Sequence, residues 1–153
     1  MKLLNTSRSK RGFTLIEVLI VLGIFILLAV SGLFMTLDAY RRYTFRSERD
    51  TIVSLLERAR SEAMSNTDQT PHGFCFSNLD NEYILFEGIN CEDVNIKKEI
   101  TPALSDITLS GLPDTGVTFS PLSGQTNWSG EITLTQGPNQ TVININSEGL
   151  IEW

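Results

Sequence analysis

Glu17 is the only charged residue in the apolar run from Phe13 to Leu37. A charged side chain near the centre of a bilayer costs roughly 3 kcal/mol, so one that persists there reads as functional and in need of a partner. Simple chemistry could supply that partner. Hydrolysis of the Gly12–Phe13 peptide bond would leave an ammonium group on Phe13, one helical turn from Glu17. Other reactive residues are few. Cys75 and Cys91 are the two cysteines, and His72 is the one histidine. If the distal part of the chain is translocated, an oxidising compartment would favour a Cys75–Cys91 disulfide; the other reading is two buried free thiols. A single histidine with two cysteines makes a poor zinc set. His72 follows Pro71 in a turn-like stretch and reads as solvated rather than as a catalytic base. The acid pairs Asp80/Glu82 and Glu92/Asp93 lack the spacing of an EF-hand. No glycine-rich phosphate loop precedes a helix. The expectation is no enzyme, no cofactor and no metal.

These residues need elements to position them. Phe13–Leu37 would span roughly 37 Å as a helix, enough to cross a hydrocarbon core of ~30 Å. Before it, Met1–Gly12 holds Lys2, Arg8, Lys10 and Arg11 and no acid; after it come Arg41, Arg42, Arg46, Arg49, Arg58 and Arg60. Counting Arg41, Arg42, Arg46 and Arg49 on the far side, each near flank carries four basic residues, and positive-inside counting does not orient the segment. The disulfide reading and a folded domain downstream favour the N-terminus in the cytoplasm. A secretory signal places its apolar stretch before the cleavage site. Here the basic stretch ends at Gly12 and the apolar stretch follows, so a cut at Gly12 would retain the membrane helix.

The segment "KRGFTLIEVLIVLGI" resembles the leader of type IV prepilins and type II secretion pseudopilins. The likeness covers the short basic leader, the Gly12–Phe13 junction, Thr14, Leu15, Glu17 and the apolar continuation. It implies cleavage after Gly12 by a prepilin peptidase, methylation of the new amino terminus at Phe13, and a role for Glu17 in filament assembly, pairing with an adjacent subunit's amine.

Beyond the membrane run, Ile52, Leu55, Leu56, Ala59 and Ala63 form one apolar stripe at helical spacing. Arg46 with Asp50, and Arg58 with Glu62, stand at i,i+4 on the exposed side. Proline is absent from Phe13 to Thr70, so one helix of roughly 50 residues is expected, ending at "SNTDQTP". The period then changes to two. "GFCF" and "EYILF" read as a hairpin, "VNIKKEI", "DITLS" and "GVTFS" as strands, "GEITLTQ" and "QTVININ" as a second hairpin, and "EGLIEW" as an edge strand. Five to seven antiparallel strands on a long helix give an α+β fold. Trp128 and Trp153 read as core or edge aromatics.

The distal sequence, with "ERARSEAMSN", "GVTFSPLSG", "GEITLTQG" and "TVININSEGLI", is similar to GspH/FimT-type minor pseudopilins. Phe34 stands where many major pilins carry a helix-kinking proline, which favours a minor subunit. The resemblance implies four regions: a leader over 1–12, a transmembrane assembly helix over 13–37, its amphipathic continuation over 38–66, and a β-sheet domain over 67–153. It implies, as partners, other pilin subunits, a prepilin peptidase, an inner-membrane assembly platform and membrane lipid. The location implied is the inner membrane, single-pass. A filament-tip binding module for a secreted substrate, a surface or DNA is the alternative. After Ser61 only Lys97 and Lys98 are basic, against thirteen acids. That balance disfavours nucleic acid, whose phosphates need clustered Lys and Arg.

Overall fold

The computed structural model describes residues 12–92, 98–104 and 106–153, with the side chains of residues 33–38 outside that description. The leader before Gly12, the strand expectation over residues 94–97, and Asp93 and Lys97 also lie outside it. The chain forms two compact units, Met1–Arg41 and Arg42–Trp153.

Helix α1 runs from Leu15 to Met64, as the absence of proline and the unbroken periodicity suggest. In the first unit it is apolar and bare: Leu15–Gly32 has a mean hydropathy of 2.7 and no buried residue. Without a covering layer of protein, such a surface suits lipid or the helices of other subunits. In the second unit the helix is one-sided. Ile52, Leu56, Ala59 and Ala63 are fully buried, Val53 and Leu55 nearly so, and Phe45 begins the stripe. Burying a side chain the size of Ile52 or Leu56 stabilises the unit by about 1.5–3 kcal/mol.

Among the described residues, the stripe packs on eight antiparallel strands. In chain order they are β1 His72–Ser77, β2 Glu82–Glu87, β3 Lys98–Pro102, β4 Thr108–Ser110, β5 Val117–Phe119, β6 Gly130–Gln136, β7 Asn139–Ile145 and β8 Ile151–Glu152. The α+β class and both hairpins are as expected, but the strands form two four-stranded sheets rather than one. Their orders are β3-β2-β1-β5 and β4-β6-β7-β8. The segment "GLPDT" lies between the two sheets. It carries the chain from β4 in the second sheet to β5 in the first, between Gly111 (φ 89°) and Gly116 (φ 80°). Phe74, Tyr83 and Leu85 of the first sheet and Leu109, Ile132, Leu134, Ile143 and Ile145 of the second share one core with the helix.

The first sheet also has a second covered face. Side chains alternate along a strand, so Cys75 points away from the main core and joins Phe86 and Cys91 in a separate buried cluster. Gly73, also on that face, lies beneath the Phe86 ring, where an added Cβ would collide with the ring.

The end of α1 is held by two turns. The Leu122 N–H donates to the Ala63 carbonyl at 3.0 Å, satisfying one of the carbonyls a helix end leaves open. Arg60 reaches across to the Glu148 carbonyl at 3.4 Å. Between these contacts the turns meet at Gly149 (φ 77°), where any Cβ would strike the Gly124 carbonyl oxygen.

Surface charges depart from the simplest pattern. Arg58 pairs with Glu62 at 2.8 Å as expected and adds Glu99 of β3 at 2.9 Å. Its hydrogen bonds to Glu99 and Glu62 hold the guanidinium's pKa above its ordinary value. Asp50, however, is taken by its neighbour Arg49 at 2.6 Å rather than by Arg46.

On the other side of the helix, Glu48 accepts a hydrogen bond from the Tyr83 hydroxyl at 2.9 Å. Burial raises the Glu48 pKa, with Asp106 adding to the effect, while hydrogen bonds from Tyr83 and the Leu104 backbone oppose it. Burial and the Glu48 charge likewise push the Tyr83 hydroxyl up. A raised carboxyl pKa means that the native state holds the proton more tightly than the unfolded chain. The folded unit therefore loses stability as pH rises from the unfolded value near 4.5 through the higher folded one. Glu48→Gln keeps an acceptor for Tyr83 and removes the charge. Its melting temperature relative to the parent is expected to rise with pH across that window and to converge below pH ~4. A difference independent of pH would contradict this account.

Candidate functional site

At the N-terminal end, Thr14 precedes the first helical residue and caps it. The Glu17 N–H lies 3.3 Å from Thr14 Oγ1 and 3.1 Å from the Thr14 carbonyl. Thr-x-x-Glu is the signature of a capping box, in which the cap hydroxyl satisfies an open N–H of the first turn. The signature is present in the sequence at Thr14 and Glu17. Capping sets where Phe13 stands: it lies just outside the helix and is 81% exposed. Glu17 lines a shallow apolar groove with Phe13, Val21 and Phe25. An ammonium group at Phe13 would meet the positive end of the helix dipole, which is unfavourable, and a carboxylate in the first turn offsets it. The arrangement therefore places one acid within a turn of the expected amine, on an apolar surface open to a neighbour.

Cys75 of β1 and Cys91, in the loop after β2, have their sulfurs in contact and Cα atoms 6.3 Å apart, a separation a disulfide spans. The Cys91 carbonyl also accepts from Lys98 Nζ at 2.5 Å.

His72 is not solvated. It is the first residue of β1 and only 1% exposed. Tertiary packing overrides the turn signal of Pro71: the helix end and Thr67 close over the ring. Its Nε2 lies 3.0 Å from the Thr67 carbonyl, and its Nδ1 lies 3.3 Å from Glu62 Oε2 without hydrogen-bond alignment. With Arg58, Glu62, Glu87 and Lys98 it lines a cleft of about 330 Å³. Arg58 occupies both Glu62 and Glu99 there.

The other sequence candidates are dispersed. Asp80 accepts from the Ser77 hydroxyl at 3.0 Å within the β1–β2 turn. Glu92 is exposed beside Cys91. No group of three or more His, Cys, Asp or Glu side chains among the described residues is placed to hold a metal ion. Trp128 packs partly buried against the main core, and Trp153 is exposed. Sequence reading missed Arg60, Glu48 and the Arg58–Glu99 link, because each depends on a partner at least 35 residues away.

Comparison with known proteins places both ends of the chain. Residues 7–33 match the prokaryotic N-terminal methylation motif, which spans Gly12, Phe13 and Glu17. No curated protein and no solved structure matched the chain. Residues 48–149, two thirds of the sequence and nearly all of the folded unit, match the model of the type II transport protein GspH. An apolar helix bearing a methylation motif and joined to that α+β unit makes this chain a member of the type II transport protein GspH family.

Proposed function

We propose that this protein is a minor subunit of a type II secretion pseudopilus or type IV pilus, built into the filament, or priming it, through helix α1. It inserts in the inner membrane with its N-terminus inside. A prepilin peptidase cuts after Gly12 and methylates Phe13. Glu17 then pairs with the amine of an adjacent subunit, and the platform draws the helix from the bilayer into a bundle of like helices. The observation that carries this reading is the coincidence of one acid, Glu17, with a capped and fully exposed apolar helix inside the methylation motif.

Chain recovered from membranes of a host expressing a prepilin peptidase is expected to begin at Phe13 with one added methyl group. Gly12→Val is expected to leave the leader attached, because a branched Cβ would crowd the scissile bond. Intact-mass and N-terminal measurements read both results. A parent chain that still begins at Met1, or a Gly12→Val chain cut normally, would overturn the reading.

A further inference from the structure

Arginine is ordinarily scarce on the non-cytoplasmic flank of a membrane span, yet Arg41, Arg42, Arg46 and Arg49 follow this one. Arg42 and Arg46 are exposed and one helical turn apart, so they share a face. Tyr43 lies beside them and is 72% exposed. With Ser47, Asp50 and Thr51, Tyr43 and Arg46 line a groove along the helix. Among the described side chains, the nearby acids are already engaged: Asp50 by Arg49 at 2.6 Å, and Glu48 by Tyr83. Neither Arg42 nor Arg46 has an ion pair among the described residues. Phe45 points the other way, into the core. The face therefore combines two uncommitted guanidinium groups with an aromatic ring carrying a polar tip, a few residues beyond the apolar run.

We infer that Arg42, Tyr43 and Arg46 form a collar that binds the headgroup of an anionic phospholipid in the leaflet on the β-unit's side. The guanidinium fork matches phosphate oxygens in bidentate fashion. A tyrosine ring suits the headgroup layer, with its body toward the acyl chains and its hydroxyl in water. Lipid is favoured over a protein acid because the patch begins within five residues, in sequence, of the apolar run that ends at Leu37. The inference rests on reading that run as a membrane span.

The test uses the full chain in phosphatidylcholine vesicles, with spin-labelled phosphatidylglycerol and phosphatidylcholine as probes. The parent is expected to hold phosphatidylglycerol several-fold more strongly at its boundary. Arg42→Gln/Arg46→Gln should lose most of that preference, by up to about five-fold per arginine, and 0.5 M salt should shrink it. The leader's basic residues are common to both chains, so the difference reports the collar alone. Equal preference in parent and variant, with boundary lipid present in both, would overturn the inference and leave the span intact. Preference retained by a variant that no longer assembles would overturn it in favour of a neighbouring subunit's acidic surface. No boundary lipid in either chain would remove the membrane span itself.

Discussion

Glu17→Ala is expected to leave the chain cut after Gly12 and its β-unit folded, and to lower its incorporation into filaments at least a hundredfold. The carboxylate stands on an exposed apolar helix face beside Phe13, where a neighbour's amine would meet it away from water. Removing one partner of such a pair leaves the other charge buried and uncompensated, at about 3–5 kcal/mol. Each 1.4 kcal/mol is a tenfold change in association. Two companion variants separate the charge from the cap. Glu17→Gln retains the backbone N–H that bonds Thr14 but loses the charge, and should fail as alanine does. Thr14→Ala removes the cap hydroxyl at about 1 kcal/mol and should assemble at a modestly reduced level. Sheared filament fractions, quantified against membrane-retained chain, read all three. Parental assembly by Glu17→Ala would end the pairing model.

Removal of the Cys75–Cys91 link is expected to produce the largest loss of stability in the β-unit. The two residues are 16 apart in sequence. Closing a loop of that size lowers the entropy of the unfolded chain by an amount worth about 3 kcal/mol. For a unit of this size that is a fall of roughly 10–15 °C in melting temperature. Packing adds to it, because both cysteines line the small cluster around Phe86. Cys75→Ala/Cys91→Ala is preferred to serine, which would bury two hydroxyls. Reduction of the parent with dithiothreitol should reproduce most of the shift, while leaving the double variant unaffected. If reduction leaves the parent's melting curve in place, the two thiols are free and the link is not part of the native protein.

The fold was legible where the signal was periodic. The stripe Ile52–Ala63 declared itself at helical spacing, and the β6–β7 hairpin was marked by its alternation and its Gly-Pro-Asn turn. The division into two sheets was not legible. β4 and β5 are each three residues long, too short for alternation to say which neighbour they pair with, and the six residues between them, 111–116, fit a sheet crossing as well as a hairpin. His72 shows the same limit: Pro71 signals a turn, but only the folded core reveals the ring enclosed beneath it. At the N-terminus the pattern of Gly12, Phe13 and Glu17 is local, so residue type and spacing were enough to mark the methylation motif that spans them. The cap at Thr14 was equally local and went unread.

The junction at the end of α1 bears on how the protein transmits force. The helix is joined to the β-unit along several turns of buried side chains, from Phe45 to Ala63. It is finished by the Leu122–Ala63 bond and the turns that meet at Gly149. A push along the helix axis from its Arg42 end is thus received in shear, by many contacts that must slip together, with the turns at Ala63 acting as a stop. A pull sideways would instead open those contacts one after another. On this geometry the β-unit resists load along the axis of its stretch of α1 better than load across it.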